Sequence, residues 1–294
     1  MMKFIVFKLF LFFAITLCAG TRDIGELPHG NIYLVNPEVD DGKTTNVTLH
    51  VDRSGVLKND FIHIVKETSG VEVEIPAKFS DVVPVLPATV YYHALNAYIF
   101  MLHVGFPAFQ NEIKIILSMS KTEPLTIFPE EKIIIFGKNG LKKHALDSDI
   151  IASAIISMFV MTSMEISSTD NLSNELKGII YGISYYLSCV LSQKSIFASS
   201  VLNFDISVLD DKVTNRNNKE NISQKVATFF WHLESALKAN VTNTLLVNSV
   251  FYMNRSSSLN DFILKMLQFD EFFFNKSHFD YIYSGFYRIF FVEK

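Results

Sequence analysis

The chain has 294 residues, of which 49% are hydrophobic and only 19% charged, and its formal net charge at neutral pH is −4. That composition supplies a large core and excludes a disordered chain. The mild acidity, with no basic cluster, excludes a general binder of nucleic acid.

The opening stretch "MMKFIVFKLFLFFAITLCAGTRD" places Lys3 before an apolar run over residues 9–17 and small residues after it. This is the layout of an export signal over residues 1–20, cut after Ala19 or Gly20, and it predicts a secreted, periplasmic or extracellular protein. Cys18 invites a lipoprotein reading, against which stands the bulky Leu17 where such signals want a small residue. Signal removal leaves Cys189 as the one cysteine, so no internal disulfide can form. Six Asn-x-Ser/Thr triplets, at Asn46, Asn171, Asn221, Asn240, Asn254 and Asn275, match the acceptor pattern for N-linked sugar. In an asparagine-rich chain such triplets also arise by chance.

Residues 21–82 form a predicted β module. "NIYLV", "VTLHVD", "FIHIVKE" and "VEVEIP" are rich in Val and Ile and alternate, and polar turns such as "DDGK" and "RSG" suit an antiparallel sheet. The remainder, 83–294, is a second unit, mixed at first and then helical. "TVYYHALNAYIFMLHVGF" has helical spacing and ends at Gly105 and Pro107. Short buried-type strands follow at 113–119 and 132–137. Helices are predicted at 147–166, 173–193, 222–238, 243–253 and 258–268, with a polar connector, "DDKVTNRNNKEN", between the second and third. The aromatic tail from residue 272 is expected to close as a hairpin. Strands followed by helices make this an α+β chain with a buried central helix.

A membrane reading fails on length. Fifteen uncharged residues separate Asp149 from Glu165 and sixteen separate Lys177 from Lys194, whereas a span needs about 20. No membrane span is expected after signal removal.

The central helix carries "DSDIIASAIIS", with Ser153 and Ser157 one turn apart on one face. This stretch resembles the Asp-x-Asp-Val-Ile-x-His-Glu-x-x-His signature of the gluzincins, the thermolysin- and fungalysin-like zinc peptidases. Further on, "YGISYYLS" at 181–188 resembles their Glu-Gly-x-Ala-Asp-Tyr segment, and "FFWHLESAL" at 229–237 is similar to a following Phe-Trp-x-Leu helix. "GNIYLVNP", the "YYHALNA" helix and "KIIIFG" fall in the same order, so the resemblance runs over about residues 30–270.

The resemblance implies a zincin-like fold, and it also implies a degenerate site. In the family two histidines and a glutamate hold zinc, and a second glutamate takes the proton from zinc-bound water. Here Ser153 and Ser157 stand at the histidine positions, Ala154 at the general-base position and Tyr181 at the third-ligand position. A neutral hydroxyl is not an ordinary zinc ligand and a methyl group moves no proton, so zinc is expected to be lost and no cofactor remains. The resemblance also matches "KIIIFG" to the edge strand along which family substrates lie extended. Ile133, Ile134, Ile135, Phe136 and Gly137 are therefore the expected binding groove for a peptide or protein. A plainer reading of Ser153 and Ser157 is that small residues permit a close helix crossing, with hydroxyls bonded back one turn.

Other chemistry is thin. No two of the eight histidines are spaced i, i+4; His93 and His144 are the ones that could visit the old cleft, and His232 sits beside Trp231 on an amphipathic helix. There is no Gly-x-Ser-x-Gly turn, P-loop or dinucleotide fingerprint, and Cys189 lies in an apolar helix as a small hydrophobe. The sequence thus points to an exported, peptidase-like binding protein without catalysis. The alternative is an active metallopeptidase, or another hydrolase, with an unorthodox site.

Overall fold

The computed structural model describes residues 27–78, 81–198, 201–208 and 218–291. The export-signal reading of residues 1–20 lies outside them, as does most of the polar connector.

The architecture is α+β: strands dominate the first half and helices the second. In a small sheet, β1 (His29–Ile32) pairs antiparallel with β2 (Thr45–Thr48) and parallel with β5 (Val82–Val83). The larger sheet holds β3 (Ile62–Thr68), β4 (Val71–Glu74), β6 (Ile113–Ser118), β7 (Thr126–Phe128) and β8 (Ile133–Phe136), in the order β4-β3-β6-β8-β7. Its middle strands β3, β6 and β8 run parallel, and the outer β4 and β7 run antiparallel to their neighbours.

The early strands are therefore shared between two sheets, and the antiparallel pairing expected for them holds only in part. β3 lies parallel to β6, Ile62 pairing with Ile113 and Glu67 with Ser118. A parallel neighbour needs a crossover, and helix α1 (Val85–Val104) lies on that connection and packs against β1 and β3. The signal for this is the composition of the middle strands. Ile62, Ile64, Ile113, Ile115 and Ile134 line one face of the sheet and are fully buried, and Val65 and Ile116 are buried on the other.

α1 is apolar around most of its circumference and ends where Gly105 turns to a left-handed φ of 116° and its N–H reaches back to the carbonyls of Met101 and Leu102. After a 3-10 turn at His144–Leu146 comes the central helix α2 (Ser148–Ser163). Asp147 caps it, accepting from the backbone N–H groups of Asp149 at 3.0 Å and Ile150 at 3.2 Å, while its other oxygen takes the Asn36 amide at 3.2 Å. The Ser148 N–H donates to the Val35 carbonyl at 2.8 Å, which ties the helix entry to the chain leaving β1.

α2 is sandwiched between α1 and α3 (Asn174–Ser192). A two-residue hairpin, β9 (Ile196–Phe197) with β10 (Phe204–Asp205), follows α3. α3 in turn lies on α4 (Lys219–Leu237), where Gly178 and Gly182 let the two backbones approach. A Cβ on Gly178 would stand 2.4 Å from Ile222 Cγ2, and one on Gly182 would stand 2.5 Å from Val226 Cβ. α5 (Ala239–Phe251), α6 (Leu259–Phe274) and α7 (Phe279–Phe290) complete the helical half.

The aromatic tail is helical, which corrects the expectation of a hairpin. α6 runs on to Phe274, stops at the left-handed Asn275, and α7 starts four residues later. Ile282, Phe286, Ile289 and Phe290 then bury one face at helical spacing. The tail's many aromatics favour a strand by propensity, and tertiary packing overrides that preference. The turn between the two helices is held by buried Asp270, which accepts from the His278 N–H at 3.0 Å and from its Nδ1 at 2.7 Å.

Candidate functional site

The residues singled out by sequence lie on α2, α3 and β8. Ser153, Ala154 and Ser157 are all buried on α2. The Ser153 hydroxyl donates to the Ile150 carbonyl at 3.0 Å. Ser157 Oγ lies 2.8 Å from Ser184 Oγ on α3, and Ser184 itself donates to the Ile180 carbonyl at 2.8 Å. A hydroxyl has one proton to give. Ser184's goes to Ile180, so Ser157 is the donor in the bridge between the helices. The two serines thus do different work: Ser153 bonds back within its own turn, as the plain packing reading expects, and Ser157 pins α2 to α3.

Tyr181 lies one turn before Ser184 on α3 and is half-buried. Its ring stacks on Tyr185 with centroids 6.4 Å apart, and Lys219 Nζ of α4 stands 6.0 Å from its centroid. Tyr185 in turn packs on Phe197 and Phe204 of the β9–β10 hairpin, at 4.2 and 5.5 Å. Burial raises the Tyr181 and Tyr185 phenols, so both stay neutral at physiological pH.

These groups do not fit a zinc ion. The hydroxyls of Ser153 and Ser184 are bonded to backbone carbonyls and that of Ser157 to Ser184, Ala154 offers a methyl group, and Tyr181 a neutral phenol facing other rings. Among the described residues no group of three or more His, Cys, Asp or Glu side chains is placed to hold a metal. His93, one conceivable visitor, donates from Nε2 to the Tyr33 carbonyl at 2.7 Å, and burial lowers its pKa. His144 lies on the 3-10 turn with a buried Nδ1 that has no hydrogen-bond partner, and burial lowers its pKa too. His232 is exposed. Cys189 is a free, fully buried thiol pushed upward by burial and by nearby Asp149 and Asp205, which is the opposite of an activated nucleophile.

The most perturbed acid near the central helix is Asp149, a residue that sequence reasoning passed over. Its side chain points from the first turn of α2 to the hairpin, where Oδ2 accepts from the N–H of Ala198, the residue after β9, at 3.0 Å. Burial and the Asp147 carboxylate push its pKa up to about 6, against smaller pulls from Ala198, Lys194 and Ser192. The sequence does hold a signal for it: Asp149 stands in the first turn of an otherwise apolar helix, where burial disfavours a charged carboxylate.

β8 corrects the expected groove. Ile133–Phe136 is paired on both sides, with β6 parallel and β7 antiparallel. Ile134 and Phe136 are fully buried, and a Cβ on Gly137 would meet the Glu123 carbonyl oxygen at 2.2 Å. Its hydrogen-bonding edges are taken, so this strand is not the sheet's edge. The edge on that side is β7, a strand absent from the sequence reading because "TIF" is too short to register as a run. β7 also approaches α2, and Lys132, in the turn joining β7 to β8, reaches Thr162 Oγ1 near the end of α2 at 3.4 Å.

No protein-family model matches this chain, and no curated protein matches it. No helix among the described residues is long and apolar enough to cross a membrane.

Proposed function

We propose that this protein is an exported, peptidase-like scaffold that binds an extended peptide or protein segment and does not hydrolyse it. The observation that carries the reading is the Ser157–Ser184 bridge at 2.8 Å. At the point where the gluzincin resemblance puts a zinc ligand, the chain has a buried hydroxyl that holds two helices together. Ala154 beside it leaves no group to activate water.

Binding is assigned to the outer side of β7, the edge strand of the large sheet next to β8. An extended segment added there satisfies open backbone N–H and C=O groups, and strand addition gives affinity without a catalytic group. Phe128, the last residue of β7, is 38% exposed and offers apolar contact to alternate side chains of the guest. The export reading supports contact with partners outside the cell and rests on the opening stretch of the sequence.

Hydrogen exchange tests this reading. Incubation with a library of extended peptides is expected to slow amide exchange over residues 126–128, with every peptide recovered intact. Protection confined to the helical half, or peptides recovered cut, would overturn it.

A further inference from the structure

The end of α5 and the last turns of α6 expose several aromatic side chains. Tyr252 is 63% exposed, Phe272 78% and Phe273 44%. The rings are continuous: Tyr252 packs on Phe269 at 5.2 Å, Phe269 on Phe273 at 6.0 Å, and Phe273 on Phe272 at 4.9 Å. Bare aromatic strips of this kind mark something that covers them.

Two of the six Asn-x-Ser/Thr triplets flank this strip, one at each end. Asn254 stands two residues after Tyr252, and Asn275 two residues after Phe273. The other four triplets have Thr44, Thr169, Lys219 and Lys238 at the corresponding place. Both flanking asparagines are exposed and sit in turns and not in a helix body. At the first, Asn254 Oδ1 accepts from both the N–H and the hydroxyl of Ser256, at 2.9 and 2.7 Å. The amide oxygen is engaged there, so Nδ2 is the part of the side chain left to react, and the serine hydroxyl that defines the triplet is beside it. At the second, Asn275 adopts φ 52° as the cap of α6, a left-handed turn that projects the side chain from the helix end.

We infer that Asn254 and Asn275 carry N-linked sugar, and that the innermost sugars lie on Tyr252 and Phe273 and cover the aromatic strip. The chemistry is transfer from a lipid-linked oligosaccharyl pyrophosphate. The Asn Nδ2 forms a bond to the anomeric carbon, the bond from that carbon to the pyrophosphate oxygen breaks, the lipid pyrophosphate leaves with the electron pair, and one amide proton passes to the transferase's base. A sugar ring presents a face of C–H groups that stacks on an aromatic face, so an exposed ring two residues ahead of the acceptor, across a turn, is a seat for the first sugar. The other four triplets have no aromatic ring two residues ahead, and Asn221, which lines a cleft with Lys225 and Phe290, is only half-exposed.

This inference rests on the export reading, because the donor and its transferase lie on the export route. The test uses the full chain isolated from the cells that make it, treated with a peptide N-glycosidase in heavy-oxygen water and mapped by mass spectrometry, alongside the position of the mature N-terminus. The expected result is an N-terminus after residue 19 or 20, with Asn254 and Asn275 occupied more fully than the other four sites. Y252A and F273A should lower occupancy at their own acceptor without changing the other. Enzymatic removal of the sugars should raise binding of a hydrophobic dye to the native protein, and F272A should reduce that gain. A processed N-terminus with both asparagines bare overturns the inference and leaves export standing. An unprocessed chain with bare asparagines overturns both.

Discussion

Asp149 sits in an environment that disfavours its charged form. Its carboxyl has a pKa of about 6 in the folded chain, against 3.8 for an ordinary aspartate. Because the folded value is raised, the ionised form destabilises the fold: stability from this group is lowest above pH 6 and is regained as pH falls from about 7 toward 4. A shift of this size corresponds to about 3 kcal/mol. D149N keeps an oxygen to accept the Ala198 N–H and removes the charge, so it should stabilise the protein by up to that amount at pH 8 and flatten the urea midpoint between pH 5 and 8. A variant no more stable than the parent at pH 8 would show that Lys194 and Ser192 already compensate the charge. The two serines of the central helix teach a different lesson. Their spacing on one face is plain in the sequence, but nothing there foretells that Ser157 would find Ser184, because that bond depends on how two helices cross.

At the scale of elements, the α3–α4 crossing governs whether the helical half assembles. Gly182 faces Val226 Cβ at 2.5 Å and the Ser223 carbonyl oxygen at 2.6 Å from where its own Cβ would be. G182A gains about 1 kcal/mol of helix propensity and should still lose about 1–3 kcal/mol net through overpacking, because a carbonyl oxygen and a β-branched stem cannot move aside. Thermal unfolding would register this as a lowered midpoint, and an unchanged or raised midpoint would mean the helices can part without cost. Helices were the legible elements: α1 to α6 are all foreseen from the sequence, with ends displaced by a few residues where caps such as Asp147 and Ser258 fall. β5, β7, β9 and β10 were not legible, since two- and three-residue strands have no period to read. The β8 reading failed for a related reason. A buried apolar run says that a strand is covered, and it leaves open whether the cover is another strand along its edge.

For the whole molecule, the α+β class and its order, strands then helices, follow from composition and pattern alone. The mixed sheet does not, because parallel pairing of β3 with β6 is a contact across the α1 crossover that local alternation cannot encode. The candidate site was half legible. The four substituted positions came from a resemblance to gluzincins, whereas the hydroxyl bridge and the edge role of β7 came from the three-dimensional arrangement. We propose that a peptidase-like frame persists here without the groups that bind metal and activate water. Elemental analysis of the protein purified without chelators, paired with a peptide-cleavage assay with and without chelator, tests this most directly. Zinc well below one ion per chain, and no cleavage that chelator abolishes, is the expected result; stoichiometric zinc with chelator-sensitive cleavage would contradict it.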